Sequence, residues 1–259
     1  MIVAATSVVT FGTAQAAVIT VTGSTASLPS ATSWGTVPGE NTNGGTTAIT
    51  DTAPRDGNGS VELRGDRTRY QIGIQYGGAA GATNLMALSN VTGLSFDWRI
   101  AGDSSNNYSP DYTPALRLLV QDGNQRSELI WEGVYNGTYG NTSRDTWYSS
   151  TFEDNFYQFK TGSGVTLNNG SQVNQTLSTW ITQTYSTNAF VSGISVGDGS
   201  GASANYHAFA DDVSLRTADG QVTTYNFEVA STAVPEPASF ALLLAGFGAA
   251  GMLRRRKAS

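Results

Sequence analysis

Cysteine is absent from the 259 residues. That excludes a disulfide framework, a thiolate metal site and a thiol nucleophile. A chain without cysteine must hold its fold by core packing or by a bound cation. Histidine occurs once, as His207, so a multi-histidine zinc centre and a Cys–His pair are both excluded. A Ser–His–Asp relay needs only one histidine, but no Gly-x-Ser-x-Gly elbow accompanies it. Cations are scarce as well. Between residues 17 and 234 there are 10 Arg plus Lys against 19 Asp plus Glu, a net charge of −9, and only Lys160 is a lysine. A body of that sign is a poor partner for phosphate backbones, which excludes nucleic acid. Long stretches of helical period are missing apart from one short segment.

What remains is a chain of 30 glycines and 7 prolines with many Ser, Thr and Asn. These turn formers punctuate short apolar runs, which predicts an all-β body. Leu94, Phe96, Trp98 and Ile100 alternate with Ser95, Asp97 and Arg99. Leu116, Leu118 and Val120 alternate with Arg117, Leu119 and Gln121, and Val213 and Leu215 with Asp212, Ser214 and Arg216. Period two is the mark of a half-buried strand. Further strands are expected at 60–64, 68–74, 127–132, 146–152, 156–160, 190–196 and 222–228. About ten short strands joined by turns predict a two-sheet antiparallel β-sandwich or jelly roll. Leu177, Trp180 and Ile181 predict one short helix over 176–185. Trp98, Trp131 and Trp180 are expected in the core. Residues 17–59 read as an irregular lead-in with at most short strands, and 60–233 as the sandwich domain.

The ends carry targeting signals. Residues 1–16 read as a signal peptide cut after Ala16, where Ala14 and Ala16 form the small-x-small pattern, although no basic residue precedes the apolar run. At the other end, Val234-Pro235-Glu236-Pro237 precedes sixteen uncharged residues, 238–253, and then Arg254, Arg255, Arg256 and Lys257. The apolar segment predicts a C-terminal transmembrane helix, and the basic cluster a cytoplasmic stop.

This order of motif, apolar segment and basic end resembles the PEP-CTERM sorting signal, here over residues 234–259. The resemblance implies recognition by an exosortase through Pro235, Glu236 and Pro237, transient membrane attachment, and the envelope or matrix of a Gram-negative bacterium. It also implies an association with exopolysaccharide and biofilm. In the body, Asp56-Gly57-Asn58-Gly59-Ser60, Leu94-Ser95-Phe96-Asp97-Trp98, Ile130-Trp131-Glu132-Gly133 and Thr224-Tyr225-Asn226-Phe227-Glu228 resemble a body recurrent on such proteins, one without an assigned activity. Its fold-level likeness is to jelly-roll carbohydrate-binding modules.

Three candidate sites follow. Asp211-Asp212-Val213-Ser214-Leu215 resembles the last strand of those modules, where an acid helps hold a structural calcium. Strict alternation puts Asp211 on the side of Val213 and Leu215, and Glu62 and Glu228 are the expected co-ligands. The loop aromatics Tyr108, Tyr112, Tyr135, Tyr139 and Trp147 are the candidate glycan platform, since loops carry exposed aromatics. Paired carboxylates for glycoside hydrolysis or lysis would come from Glu128, Glu132, Glu153 and Asp154. The expected function is an exported, exosortase-sorted, non-catalytic protein that binds exopolysaccharide. The alternatives are a polysaccharide-cleaving enzyme using two carboxylates and a structural surface protein without a ligand.

Overall fold

The structure, a computed structural model, describes residues 16–23, 28–37, 39–75, 81–105 and 111–230. Most of the expected signal peptide, Tyr108, and the whole sorting segment with its motif, apolar stretch and arginines lie outside the described residues. The chain divides into two compact units, Met1–Val229 and Ala230–Ser259, and the fold below is that of the first.

In chain order the strands are β1 (Ala16–Val21), β2 (Trp34–Thr36), β3 (Thr46–Thr50), β4 (Ser60–Arg64), β5 (Arg69–Gly73), β6 (Met86–Ala87), β7 (Val91–Ile100), β8 (Ala115–Asp122) and β9 (Gln125–Trp131). They continue with β10 (Trp147–Ser149), β11 (Asn155–Lys160), β12 (Gly164–Val165), β13 (Leu167–Asn168), β14 (Ser171–Gln172) and β15 (Asn174–Thr176). The helix α1 (Leu177–Thr184) follows, then β16 (Phe190–Gly197), β17 (His207–Thr217) and β18 (Val222–Phe227). The strands expected from period-two patterning are all present. The lead-in carries three short strands, β1, β2 and β3, each docked on the edge of a strand of the body.

Two sheets face each other. The first runs β1-β18-β17-β4-β3, with β7 along the other edge of β17 and β10 beyond it. The second runs β12-β11-β9-β8-β16-β5-β2, with β15 beside β11 and β6 beside β16. Pairing is antiparallel except between β1 and β18, which are parallel, so the expected all-antiparallel sandwich is corrected at one edge. Between the sheets lies one apolar core. Leu94, Phe96, Trp98 and Ile100 of β7 and Val213 and Leu215 of β17 meet Leu116, Leu118 and Val120 of β8 and Leu129 and Trp131 of β9. All three tryptophans expected inside are there, at 1–2% exposure. The helix closes one end. Leu177 and Trp180 point inward, Trp180 Nε1 donates to the Phe156 carbonyl at 2.8 Å, and the Thr176 hydroxyl caps the helix by accepting from the Thr179 N–H. Among the described residues no helix is long and apolar enough to cross a membrane.

One irregularity shapes the first sheet. β17 pairs with β7 along almost its full length, but its other edge changes partner, from β4 (through His207–Ala210) to β18 (through Val213–Arg216). The change falls at Asp211 and Asp212. Against β7, Asp211 stands opposite Asp97 and Ser214 opposite Ser95, so two residues of β17 oppose the single Phe96. That is a β-bulge, and Asp212 adopts φ 48° to make it, a left-handed conformation that Asp tolerates better than most residues. The bulge resets the alternation. Asp211 therefore shares the outer face with Asp97 rather than the inner face with Val213 and Leu215, which corrects the strict-parity expectation.

Candidate functional site

The alternation that sends Leu116, Leu118 and Val120 inward sends Arg117 and its neighbours to the outer face of the second sheet. Register then collects charged and aromatic side chains from several strands. Arg117 of β8 lies opposite Ile130 of β9 and Ser195 of β16. Glu128 of β9 lies opposite Phe159 of β11, and Arg69 of β5 lies opposite Gly197. With no side chain at Gly197 in its way, Arg69 reaches over β16 and β8 to Glu128. The result is a groove of about 500 Å³ whose lining includes Arg69, Arg117, Glu128, Glu132, Tyr112 and Tyr157.

Arg69 grips Glu128 with both prongs, Nη1 to Oε1 at 3.0 Å and Nη2 to Oε2 at 3.2 Å. Arg117 Nε stands 3.6 Å from Glu128 Oε2. Burial would raise the Glu128 carboxyl, but the two guanidiniums outweigh it and hold it below the usual carboxylate range. Glu132 is the opposite case. Burial raises it, and the Tyr157 hydroxyl, which donates to Oε1 at 2.9 Å, offsets this only in part. Asp198 lines the same groove. Burial pushes its carboxyl up to about 6 against hydrogen bonds from the backbone N–H groups of Arg67 and Thr68 and from the Thr68 hydroxyl.

Three of the expected aromatics gather here. Tyr112 lines the groove, with its ring 6.5 Å from that of Tyr139. Tyr135 is 36% exposed and sets its edge against Tyr157 at 5.5 Å. Burial raises both Tyr135 and Tyr139, with the Glu132 charge adding to it, which locates both beside that carboxyl. Trp147 is not with them. It sits on β10 in the first sheet, opposite Arg99, and packs on the small cluster of Ala53, Ala101 and Phe209. Sequence reading also missed Arg69, Tyr157 and Asp198 as groove residues. Each comes from a different strand or loop, so only the register brings them together.

The carboxylates considered for hydrolysis separate into two groups. Glu128 and Glu132 share the groove, but the strand rise sets their Cα atoms about 13 Å apart. Asp154 accepts from Trp131 Nε1 at 2.7 Å and from the Thr151 hydroxyl, and Glu153 pairs with Arg216. Neither of the latter two lines the groove. The sole histidine is also committed. His207 Nδ1 faces Asp103 and Nε2 faces Glu62 Oε1 at 2.9 Å, so both ring nitrogens meet carboxylates, and its backbone N–H donates to the Ser104 hydroxyl at 3.0 Å.

A second polar site lies at the bulge. Asp211 is fully buried. Its Oδ1 accepts from the Phe227 N–H and the Asp212 N–H, each under 3 Å, while its Oδ2 has no partner. Asn226 Oδ1 is also buried and unpartnered. Asp56 lies close enough to Asp212 for its charge to raise the Asp212 carboxyl. Glu228 folds back onto the Asp56–Ser60 turn and accepts from the Asn58 N–H. Its carboxylate occupies the space a Cβ on Gly57 would need, and Gly57 also takes φ 101°. Arg55 pairs with Asp97 here at 2.7 Å. Burial pushes Asp211 up to about 8, and Asp212 up to about 6 with Asp56 and Asp97 adding to it. Of the four calcium ligands expected from sequence, Asp211, Asp212 and Glu228 meet at this place. Glu62 does not, being held by His207 and by Arg64 at 2.7 Å. Among the described residues no group of three or more His, Cys, Asp or Glu is arranged to hold a metal ion.

A β-sandwich with an open, charged and tyrosine-lined sheet face thus precedes the C-terminal segment. Residues 233–257 match the PEP-CTERM protein-sorting motif. The protein is accordingly an exported bacterial cell-surface protein processed by exosortase. No curated protein matches the chain.

Proposed function

We propose that the sandwich is a non-catalytic polysaccharide-binding module, sorted to the envelope or extracellular matrix of a Gram-negative cell and holding matrix exopolysaccharide in the groove of the second sheet. The observation that carries this reading is the convergence of Tyr112, Tyr135, Tyr139 and Tyr157 with fixed charged groups on one open sheet face. Sugar rings stack on flat aromatic faces, and a few oriented polar groups set their register. Affinity electrophoresis of the full chain in detergent, on gels containing exopolysaccharide, tests it. Tyr135→Ala and Tyr139→Ala should each weaken retention roughly tenfold, about 1.4 kcal/mol, while Trp147→Ala on the other sheet should leave it unchanged. Equal retention of all four proteins would defeat the groove assignment.

One observation favours a second reading, a glycan-cleaving enzyme. Glu132 is pushed up and Glu128 down, the divergence that an acid and its partner carboxylate need. Against it stands the two-pronged clamp of Arg69 on Glu128, which commits that carboxylate to an ion pair. Turnover of the polysaccharide that disappears in Glu132→Gln would establish the enzyme.

A structural calcium at the bulge belongs to the first reading. The unpartnered oxygens of Asp211 and Asn226, with Asp212, Asp56 and Glu228 beside them, are the hard oxygen donors that calcium takes, although the acids do not converge on one point as they stand. At pH 8 calcium should raise the melting temperature and chelator should reverse it, with the shift lost in Asp211→Asn. An unchanged melt would leave a proton as the only cation at this place.

A further inference from the structure

We propose that the groove is built for an anionic glycan, specifically one carrying uronic acid carboxylates, and that Arg117 is the residue that anchors the carboxylate. This rests on the reading of the groove as a polysaccharide site and names its ligand class.

Arg117 is 4% exposed, lines the groove, and its Nη1 has no hydrogen-bond partner. A buried N–H without an acceptor costs about 1–3 kcal/mol, and more on a charged group, so such groups in native folds normally meet water, an ion or a ligand. The nearest counter-ion does not supply the acceptor. Glu128 has both oxygens taken by Arg69 and stands 3.6 Å from Arg117 Nε, close enough for attraction and too far for a hydrogen bond. Glu132 and Asp198 also feel the Arg117 charge, but Glu132 accepts from the Tyr157 hydroxyl and Asp198 from the Arg67 and Thr68 N–H groups, and burial disfavours the charged form of both. Arg117 Nη1 is therefore a buried donor without an acceptor, on a residue that lines a groove shared with Tyr112 and Tyr157.

Four of the body's ten cations, Arg67, Arg69, Arg117 and Arg126, line this groove beside four acids, Glu40, Glu128, Glu132 and Asp198, and burial raises two of those acids, Glu132 and Asp198. The planar fork of arginine matches a carboxylate better than it matches a sugar hydroxyl, and a uronate presents its carboxylate at the edge of a ring whose face can stack on tyrosine.

The test is affinity electrophoresis of the full chain in detergent against polygalacturonate, the same polymer fully methyl-esterified, and dextran sulfate. Esterification removes the charge and keeps the backbone. Retention by polygalacturonate, at least tenfold weaker on the ester and on dextran sulfate, is the expected result. Arg117→Gln with an unchanged melting temperature should lose the same tenfold. Should that variant fail to fold, the ester comparison on the natural protein decides alone. Equal retention on the ester would overturn the uronate inference while leaving a glycan groove in place, as would a preference for the sulfated polymer. No retention on any polymer would overturn the inference, and exopolysaccharide retention in the earlier experiment would then show whether the groove reading survives it.

Discussion

Without divalent cations, the protein should lose stability steadily as the pH is raised from 5 to 8, and Asp211→Asn should remove most of that loss. Asp211 is raised to about 8 in the folded protein from an ordinary 3.8, chiefly by burial. Between those two values the folded state holds a proton that the unfolded chain has released. Its stabilising contribution is full below pH 4 and disappears as the pH climbs through 8. Each pH unit in that window is worth about 1.4 kcal/mol, so the loss between pH 5 and 8 is on the order of 4 kcal/mol. Asp198 and Asp212, both raised to about 6, steepen the slope between pH 4 and 6. On the acid side the sign reverses. Glu62, Glu128 and Asp103 are held below their ordinary values, so the stability they contribute is present above their unfolded values and is lost as the pH falls further. Maximum stability is therefore expected near pH 4. Urea unfolding at pH 5, 6.5 and 8, on the natural protein and on Asp211→Asn, measures this. Asparagine keeps the acceptor used by Phe227 and Asp212 and cannot ionise. A flat profile for the natural protein, or an equally steep one for the variant, would show that Asp211 does not carry the effect.

Glu128→Leu should destabilise the protein by about 3–5 kcal/mol, and Arg69→Leu by clearly less. Glu128 is shared between Arg69 and Arg117. Removing it takes the nearest counter-ion from Arg117, which is 4% exposed, and an uncompensated buried charge is among the more damaging results of a single substitution. Removing Arg69 instead leaves the Glu128 charge beside Arg117, so part of the compensation persists. The ordering is more informative than either magnitude. Equal losses in urea unfolding would mean that Arg117 does not compensate the Glu128 charge. Arg69→Leu also frees a Glu128 oxygen for Arg117, so it should reduce binding to an anionic polymer.

Much of this protein is legible along the chain, because the decisive signals are local. The alternation of Leu94, Phe96, Trp98 and Ile100 defines a strand and its buried face, since successive side chains must point to opposite sides. Leu177, Trp180 and Ile181 define the one helix, and the motif, apolar segment and arginines in order identify the sorting signal. The loop tyrosines Tyr112, Tyr135 and Tyr139 stand out for the same reason, as aromatics placed where a chain normally puts polar turns.

The functional groove is different in kind. Arg69 and Glu128 lie 59 residues apart and meet only because β5, β16, β8 and β9 are neighbours in one sheet. Nothing in the local composition of any of those strands encodes that order. Trp147 resembles the tyrosines as a loop-flanking aromatic, and register alone moves it to the opposite sheet. Asp211 shows the limit most sharply. Its parity reads clearly in the sequence, yet one extra residue in a bulge turns it from the inner face to the outer and leaves its second oxygen without a partner. Local sequence thus determined the strands, the core and the tag, because side-chain period and burial act over a few residues. The tertiary structure alone decided which charges share a groove and which acid is stranded, because strand order and register act between residues far apart in the chain.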